Sequence, residues 1–370
     1  MPAVGAPTSA ALRASSHEDR LGYVKEPMNR EQAARIFHDG ADGVFQGGGV
    51  KGIALVGALR EFEDWGCGRW VSCAGTSAGA IIASYLAVGH TAEQAEQLLR
   101  KTPYASFEDW GPGGKVFGGA WNALVHRGLA RGEVFRSWMN EVLEGATFAA
   151  VKRDDGSYRL RLIAADVTNR EMLVLPDDLP KYRQPGGTAP LDPDSFPIAD
   201  AVRMSMSIPF FFWPIQLVPV APSENGRVTP ATIVDGGVLS NFPVWLFDVQ
   251  ERPPARPTFG FHLTGGRGVG AGLQRIVRRL GWAVTLGTDI FQTATDAWDR
   301  RFLSHSTRVR SFPIPAGTVG TTDFELPPSA QEWLVQSGRE AARTFLEQFD
   351  PASYENTFGL TLAGAAADQG

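Results

Sequence analysis

The sequence contains two glycine-rich turns, about 30 residues apart, and each one separates a short apolar run from a segment with helical spacing. The first turn is Gly47–Gly52, "GGGVKG", and it follows the run "GVFQ". The second is Gly75–Gly79, "GTSAG", and it follows "WVSCA". Strands that pass at once into helices are typical of a parallel sheet with helices on its faces. The pattern therefore predicts an α/β protein.

The alternation of strand and helix patterns continues over most of the chain, without an internal repeat or a hinge-like linker. We therefore expect a single α/β domain over residues 31–350. Residues 1–30 are rich in Ala, Ser and charged side chains and predict a flexible N-terminal arm, and residues 351–370 are expected to form a C-terminal tail. Capping-box patterns predict that helices begin near Thr91 and Ser329.

The charge and cysteine content argue against several classes of protein. Lys and Arg number 35 against 40 Asp and Glu, which leaves a net charge of −5 and no general attraction for nucleic acid. The sequence has two cysteines, Cys67 and Cys73, which predict reduced thiols in a cytoplasmic protein rather than a disulfide framework. No signal-peptide pattern and no run of about 18 apolar residues is found. Any membrane contact is therefore expected to be peripheral.

The second turn has the form Gly-x-Ser-x-Gly, with Ser77 at its centre. Glycines on both sides let the chain turn sharply from a strand into a helix, and such a turn exposes the hydroxyl above the helix N-terminus. A chain with 42 glycines can contain this pattern by chance, but its place between a strand and a helix favours a functional turn. The context predicts that Ser77 is a nucleophile.

A nucleophilic serine needs a base, and the sequence offers two kinds. His262 and His305 lie late enough for the hydrolase order Ser, Asp or Glu, His, but neither has a distinctive loop context, so a packing or surface role is favoured. Asp235 ends the apolar run "ATIVD" before Gly236 and Gly237. At the carboxyl end of a strand in a parallel sheet, it would lie where ligands bind. A nearby carboxylate can act as the base of a hydroxyl, and an ordinary turn Asp is the alternative.

The first turn matches a phosphate-binding fingerprint, Gly47-x-Gly49-x-x-Gly52. A P-loop requires Gly-Lys followed by Ser or Thr, whereas Lys51 is flanked by Val50 and Gly52. A dinucleotide site requires an acidic residue at the end of the next strand, and the serine turn occupies that place. Backbone N–H groups at a helix start can also stabilise an oxyanion, and this function is favoured over the other two.

Together, "GGGVKG", "GTSAG" and "DGG", in this order, resemble the motifs of the patatin-like phospholipase family. Two further segments resemble that family, "AVRMSMSIPFFFWP" at Ala201–Pro214 and "NFP" at Asn241–Pro243. The resemblance extends over roughly Asp42–Pro243 and more weakly to the last predicted helix. It implies a three-layer α/β/α patatin-like fold with a mostly parallel central sheet.

The resemblance also implies a reaction, because members of this family hydrolyse lipid acyl esters with a Ser–Asp dyad. Carried over, Ser77 forms an acyl-enzyme and Asp235 is the general base, and we expect neither a cofactor nor a metal ion. Backbone amides of the glycine loop would form the oxyanion hole, and they belong to Gly47, Gly48 and Gly49. The motifs contain further supporting residues, which are Lys51, Gly52, Gly75, Gly79, Gly236 and Gly237.

The expected substrate is a phospholipid or another lipid ester at a membrane surface. The aromatic run Ile208–Pro214 can line an acyl pocket, touch a bilayer or pack in the core, and the sequence leaves these options open. Trp110, Phe117 and Trp121 are candidates for a lid, whereas Asp166 is expected to be structural. An acyltransferase with the same dyad and a lipid-binding or regulatory module with little turnover are the alternative functions. The sequence identifies no protein partner or activator.

Overall fold

The computed structural model describes residues 27–102, 104–107, 109, 128–222, 226–248, 253–265, 290, 293, 305–321, 323 and 326–362. Its first elements are α1 (Arg30–Ile36), β1 (Ala41–Phe45), α2 (Ile53–Asp64), β2 (Trp70–Thr76), α3 (Ala78–Ala87), α4 (Ala92–Lys101), β3 (Gly128–Ala130), α5 (Glu133–Val142), β4 (Leu160–Asp166) and β5 (Glu171–Leu175). Both glycine-rich turns lie between a strand and a helix, as predicted.

The remaining elements include the strand that carries the predicted base. They are β6 (Tyr182–Arg183), α6 (Ile198–Ser205), β7 (Phe210–Phe212), β8 (Ile215–Pro219), β9 (Ala231–Asp235), β10 (Thr258–Thr264), α7 (His305–Arg310), β11 (Ser311–Pro315), α8 (Pro328–Gln348) and α9 (Pro351–Phe358). Helical turns of the 3₁₀ type lead from the first glycine turn into α2 and follow the end of β9.

The described strands other than β3 and β7 form a nine-stranded sheet in the order β11-β10-β1-β2-β4-β9-β8-β6, with β5 also paired to β4, and β3 and β7 form a separate two-stranded sheet. The strands from β11 to β4 are parallel. The strands from β4 to β6 are antiparallel, and so is the β4–β5 hairpin. The predicted α/β fold is confirmed. The expectation that the strand of Asp235 is parallel is wrong, because β9 pairs antiparallel with β4, the last strand of the parallel set.

Buried side chains cover both faces of the sheet. In β1, Phe45 stacks on Phe261 on one face, with 4.9 Å between the ring centroids. The next side chain along β1, Val44, packs with Phe242 and Val244 on the opposite face. Successive strand residues point to opposite faces, so the continuous burial of β1 indicates a covered sheet.

A close helix pair holds α2, the helix that follows the first glycine turn. A Cβ atom on Gly57 in α2, or on Gly338 in α8, would overlap the backbone of the facing helix. Glu61 of α2 is fully buried and accepts hydrogen bonds from Arg343 Nε (2.9 Å) and Arg339 Nη1 (3.0 Å) of α8. Small residues permit the close approach, and the charged hydrogen bonds satisfy the buried carboxylate.

The structure corrects two predicted chain features near the C-terminus. Residues 351–370 do not begin as a tail, because α9 packs on the domain: Tyr354 is fully buried and its hydroxyl accepts a hydrogen bond from the Thr258 N–H at 2.8 Å. The capping box predicted at Ser329 is also wrong, because α8 begins at Pro328, where no N–H needs a cap. The capping box at Thr91 is confirmed.

Some predicted features lie outside the described residues. They are residues 1–26 of the expected N-terminal arm and the lid candidates Trp110, Phe117 and Trp121. At the other end of the arm, Met28 is already buried, and Asn29 caps α1. Among the helices that the structure describes, none has the length and apolar character needed to cross a membrane.

Candidate active site

The site forms where two strands meet end to end along one edge of β4. Residues 162–166 of β4 pair with β5 on one edge. On the other edge, residues 160–163 pair with β2 and residues 164–166 pair with β9. Thr76, the last residue of β2, is opposite Ile163, and Asp235, the last residue of β9, is opposite Ala164. The carboxyl ends of β2 and β9 therefore face each other, which brings Ser77 beside Asp235.

Ser77 occupies a strained turn that its two flanking glycines make possible. Its φ of 54° and ψ of −124° lie where residues with a side chain are rare. A Cβ atom on Gly75 would overlap the Gly79 carbonyl, and one on Gly79 would overlap the Phe45 carbonyl. The backbone of the turn is thus packed too closely for larger residues, as the Gly-x-Ser-x-Gly pattern predicts.

The end of α6 and the residue that follows it contact Ser77. The Ser77 N–H donates a hydrogen bond to Ser205 Oγ at 2.9 Å, and Ser205 Oγ donates to the Ile163 carbonyl at 2.6 Å. Ser77 Oγ lies 3.3 Å from Met206 Sδ, and the same hydroxyl lies close enough to the Asp235 carboxyl to lower its pKa. Ser77 is only 4% exposed, and its hydroxyl therefore lies against a thioether and near a carboxyl group.

Asp235 has the properties of a base that works near neutral pH. The residue is 2% exposed, and burial raises the pKa of its carboxyl to about 7. The N–H of Gly237, which donates to the carboxylate at 2.8 Å, and the neighbouring Ser77 hydroxyl partly oppose this increase in the pKa. A Cβ atom on Gly236 would overlap the Ile163 carbonyl, so the turn after β9 also requires glycine. A carboxylate of raised pKa accepts a proton more readily than an exposed one.

The first glycine turn packs against the serine turn. A Cβ atom on Gly47 would lie 3.0 Å from the Cβ of Ser77, and one on Gly52 would lie 3.1 Å from the Cβ of Ala78. Lys51 is half-buried in the 3₁₀ turn. The loop therefore presents its backbone beside Ser77, which is compatible with the oxyanion prediction.

The three predicted oxyanion amides differ in their hydrogen bonding. The N–H of Gly47 already donates to the Asn241 carbonyl at 3.1 Å. The N–H groups of Gly48 and Gly49 have no acceptor among the described residues. Gly49 has a φ of 57°, and a Cβ atom there would overlap the Thr321 carbonyl. The same carbonyl accepts a hydrogen bond from the N–H of Val50 at 3.1 Å. Two amides are thus available, and distant residues hold the loop on both sides.

The other predicted candidates lie outside this constellation. The His262 ring is 5.4 Å from that of Phe242 and burial lowers its pKa, which fits the favoured packing role. His305 begins α7, and the placement of its side chain lies outside the described residues. Asp166 is fully buried and accepts hydrogen bonds from the N–H groups of Thr168 and Asn169, which confirms a structural role in the β4–β5 turn.

The structure adds residues to which sequence reasoning assigned no role. Ser205 and Met206 contact Ser77, and the Ser207 carbonyl accepts the Asp235 N–H at 2.9 Å. All three belong to the "RMSMS" run, whose small polar residues among apolar ones are a signal for buried contacts. Thr321 has no such signal. Of the aromatic run, Phe211 and Phe212 are almost fully buried, so these two pack in the core.

Comparisons with known proteins agree with this fold. The family model described as patatin-like phospholipase matches residues 43–248. The uncharacterized protein YqhO of Bacillus subtilis is 38% identical over 312 residues, which are 83% of this chain and 98% of YqhO. The uncharacterized protein R571 of Acanthamoeba polyphaga mimivirus is 23% identical over 232 residues, 58% of this chain and 64% of R571.

A solved structure shares the same fold. The crystal structure of VipD from Legionella pneumophila superposes with a TM-score of 0.50 at 16% identity. The matched region covers 83% of this chain and 66% of VipD. At this low identity, the similarity is one of architecture.

The strain at Ser77 predicts an unusual order of stability. Ser77→Gly and Ser77→Ala both remove the hydroxyl, but only glycine adopts a φ of 54° without strain. We expect the Gly variant to be more stable than the Ala variant by about 1 kcal/mol, measured by urea unfolding. Ser84, buried inside α3, is the matched control, and there the Gly variant is expected to be the less stable one. If the Ala variant is the more stable one at Ser77 as well as at Ser84, the turn at Ser77 is unstrained.

The raised pKa of Asp235 predicts how Asp235→Asn changes stability with pH. A group whose folded-state pKa lies above its unfolded value stabilises the fold below the unfolded pKa of 3.8, and this contribution is lost as pH rises to about 7. Asn cannot ionise, so the Asn variant does not lose this stability as the pH rises. Relative to wild type, the Asn variant is expected to gain up to about 3 kcal/mol in unfolding free energy between pH 5 and pH 8. A stability difference that is constant with pH, measured by denaturant unfolding, would contradict the raised pKa.

Proposed function

Because the chain belongs to the patatin-like phospholipase family, we propose that it is a serine lipid acyl hydrolase that cleaves carboxylic esters of phospholipids or related lipids. The observation that carries the proposal is the placement of Ser77 beside the buried carboxyl of Asp235, where the ends of β2 and β9 face each other. A strained turn presents the hydroxyl, and burial makes the carboxylate a stronger base. These are the two requirements of an activated serine nucleophile.

In the first half-reaction, Ser77 Oγ attacks the carbonyl carbon of the ester while ionised Asp235 accepts the hydroxyl proton. The carbonyl oxygen becomes an oxyanion. The N–H groups of Gly48 and Gly49 are the proposed donors to it, since that of Gly47 is already engaged by Asn241. Gly47 contributes by leaving space beside Ser77.

Collapse of this intermediate breaks the bond to the alcohol portion of the lipid. Asp235 returns its proton to the departing oxygen, and the acyl chain remains as an ester on Ser77. In the second half-reaction, Asp235 takes a proton from water as the water attacks the acyl-enzyme. The carbon–oxygen bond to Ser77 then breaks, and Ser77 recovers its proton as the fatty acid leaves.

The proposal places the enzyme at the surface of a membrane, because its substrate is part of a lipid assembly. Two aromatic side chains that follow Ser205–Ser207 in the chain support contact with lipid. Phe210 and Trp213 are half-buried, unlike the buried Phe211 and Phe212 between them. Half-buried aromatic side chains are suited to the boundary between an apolar region and water.

Loss of either member of the dyad is expected to abolish turnover. We expect Ser77→Ala and Asp235→Asn to lower the release of fatty acid from phosphatidylcholine vesicles by about 1,000-fold or more, since the nucleophile or its base is absent. The matched control is Ser84→Ala, which changes a buried serine of α3 outside the dyad. Near-normal turnover by purified, folded Ser77→Ala would contradict the proposal.

Two further measurements separate the alternative functions. Product analysis with an added alcohol acceptor distinguishes the hydrolase, which releases fatty acid, from an acyltransferase, which forms a new ester. Reaction with a fluorophosphonate probe reports whether Ser77 is nucleophilic. Lipid binding without reaction at Ser77 would favour the binding module and contradict the hydrolase.

The pKa of Asp235 predicts the pH dependence of catalysis. The ionised carboxylate is the proposed active form, so kcat/KM for ester hydrolysis is expected to rise with pH to a plateau, with a midpoint of about 7. The rate of fluorophosphonate labelling of Ser77 is expected to follow the same curve in the absence of lipid. A rate that stays constant from pH 5 to pH 9 would exclude Asp235 as the base.

A further inference from the structure

Arg203 is a buried cation in α6, four residues before Ser207. It is 2% exposed, and its guanidinium donates to neutral oxygens. Nη1 donates to Ser207 Oγ at 2.6 Å, and Nη2 donates to the carbonyls of Arg131 (2.7 Å) and Trp213 (2.8 Å). Its plane also lies over the ring of Phe212, 5.0 Å from the centroid. The side chain is thus fully surrounded by protein.

The charge of Arg203 has no ion-pair partner among the described residues. Glu133 and Asp109 act on it only through space, and burial lowers its pKa to about 10, so it remains a cation at neutral pH. Nε is buried without an acceptor. A buried, unpaired charge is costly, and an apolar side chain of similar shape would avoid the cost. Packing alone therefore does not account for an arginine here.

The hydrogen bonds of Arg203 lead directly to the dyad. Ser207 Oγ, which accepts from Arg203, donates back to the Arg203 carbonyl at 2.8 Å. This reciprocal pair fixes the chain as it leaves α6. Of the three residues between them, Ser205 and Met206 contact Ser77, and the Ser207 carbonyl accepts the N–H of Asp235.

The other hydrogen bonds of Arg203 anchor the same segment to a two-stranded sheet formed by β3 and β7. Arg131 directly follows β3, and Trp213 directly follows β7. A Cβ atom on Gly132 would overlap the guanidinium, so the chain after β3 closes directly over Arg203. The planar, forked guanidinium can bridge three separate acceptors, which a lysine ammonium does not match geometrically.

We propose that Arg203 is a positioning residue of the hydrolytic site, which holds Ser205–Ser207 between Ser77 and Asp235 by bridging Ser207 to the ends of β3 and β7. This inference rests on the proposed function, since it concerns the dyad of that reaction. Arg203 does not touch the substrate. It acts by holding the Ser77 hydroxyl and the Asp235 carboxyl in the relative position that the reaction needs.

The experiment compares Arg203→Met with Arg310→Met. Arg310 is equally buried and stacks on Phe358, but it pairs with Asp248 and belongs to α7. For the Arg203 variant, we expect at least a 10-fold lower kcat with KM within two-fold of wild type. We expect an equal fall in the rate of fluorophosphonate labelling of Ser77, with rates corrected for the folded fraction. The Arg310 variant is expected to keep wild-type rates despite any loss of stability.

Two further variants test the route from Arg203 to the dyad. Arg203→Lys keeps the charge without the fork and is expected to lose at least 10-fold in labelling rate. Ser207→Ala is expected to be slow as well, and the double variant Arg203→Lys with Ser207→Ala is expected to be no slower than the slower single one, because both changes break one connection. If Arg203→Met does not fold, the labelling rates of Ser207→Ala and Arg203→Lys test the proposal.

Wild-type rates in Arg203→Lys, an additive double variant or an equal loss in Arg310→Met would overturn the positioning role. Failure of the proposed function gives a different result. A wild-type protein that is labelled at Ser77 but releases no fatty acid contradicts the lipid hydrolase, while the labelling rates still decide the role of Arg203. A wild-type protein that is not labelled overturns both.

Discussion

The arrangement of the site depends on the shared edge of β4. A strand has two edges for hydrogen bonding, and the β5 hairpin occupies one of them beside the last residues of β4. The opposite edge is divided between β2 and β9, which approach from opposite directions and stop at neighbouring positions. The pairing register of these three strands with β4 therefore sets the separation of Ser77 and Asp235. A slip of β9 by two residues would move Asp235 by about 7 Å, beyond hydrogen-bond reach of Ser77.

Several groups near this junction are unfavourable when considered alone. Ser77 adopts a strained φ, and within the described part of the chain the buried Asp235 carboxyl has no ion-pair partner and neither has the buried Arg203 guanidinium. The surrounding fold must compensate for them. It does so with a sheet buried on both faces and with the α2–α8 contact around Glu61. Functional groups held in costly states are expected where the scaffold is otherwise well packed.

Local patterns predicted Ser77, Asp235 and the two glycine turns, because each depends on residues that adjoin in sequence. The direction of β9 could not be predicted in the same way: alternation and hydrophobicity do not encode whether a strand runs parallel to its neighbour. Asp235 thus lies in the predicted site although the supporting argument about strand direction is wrong. The engagement of the Gly47 amide by Asn241 and the helix around Tyr354 depend on contacts across the fold, which a short local pattern does not contain.

The residues that hold the glycine loop lie far along the chain, and this affects the order in which the site forms during synthesis. Gly47 is tied to Asn241, and the N–H after Gly49 is tied to Thr321, whereas Ser77 lies early in the chain. During synthesis, the proposed nucleophile is therefore made long before Asn241 and Thr321, which hold the neighbouring glycine loop. An incomplete chain carries a serine hydroxyl without the rigid amides beside it. The connectivity of the fold delays a competent site until nearly the whole domain has emerged and folded.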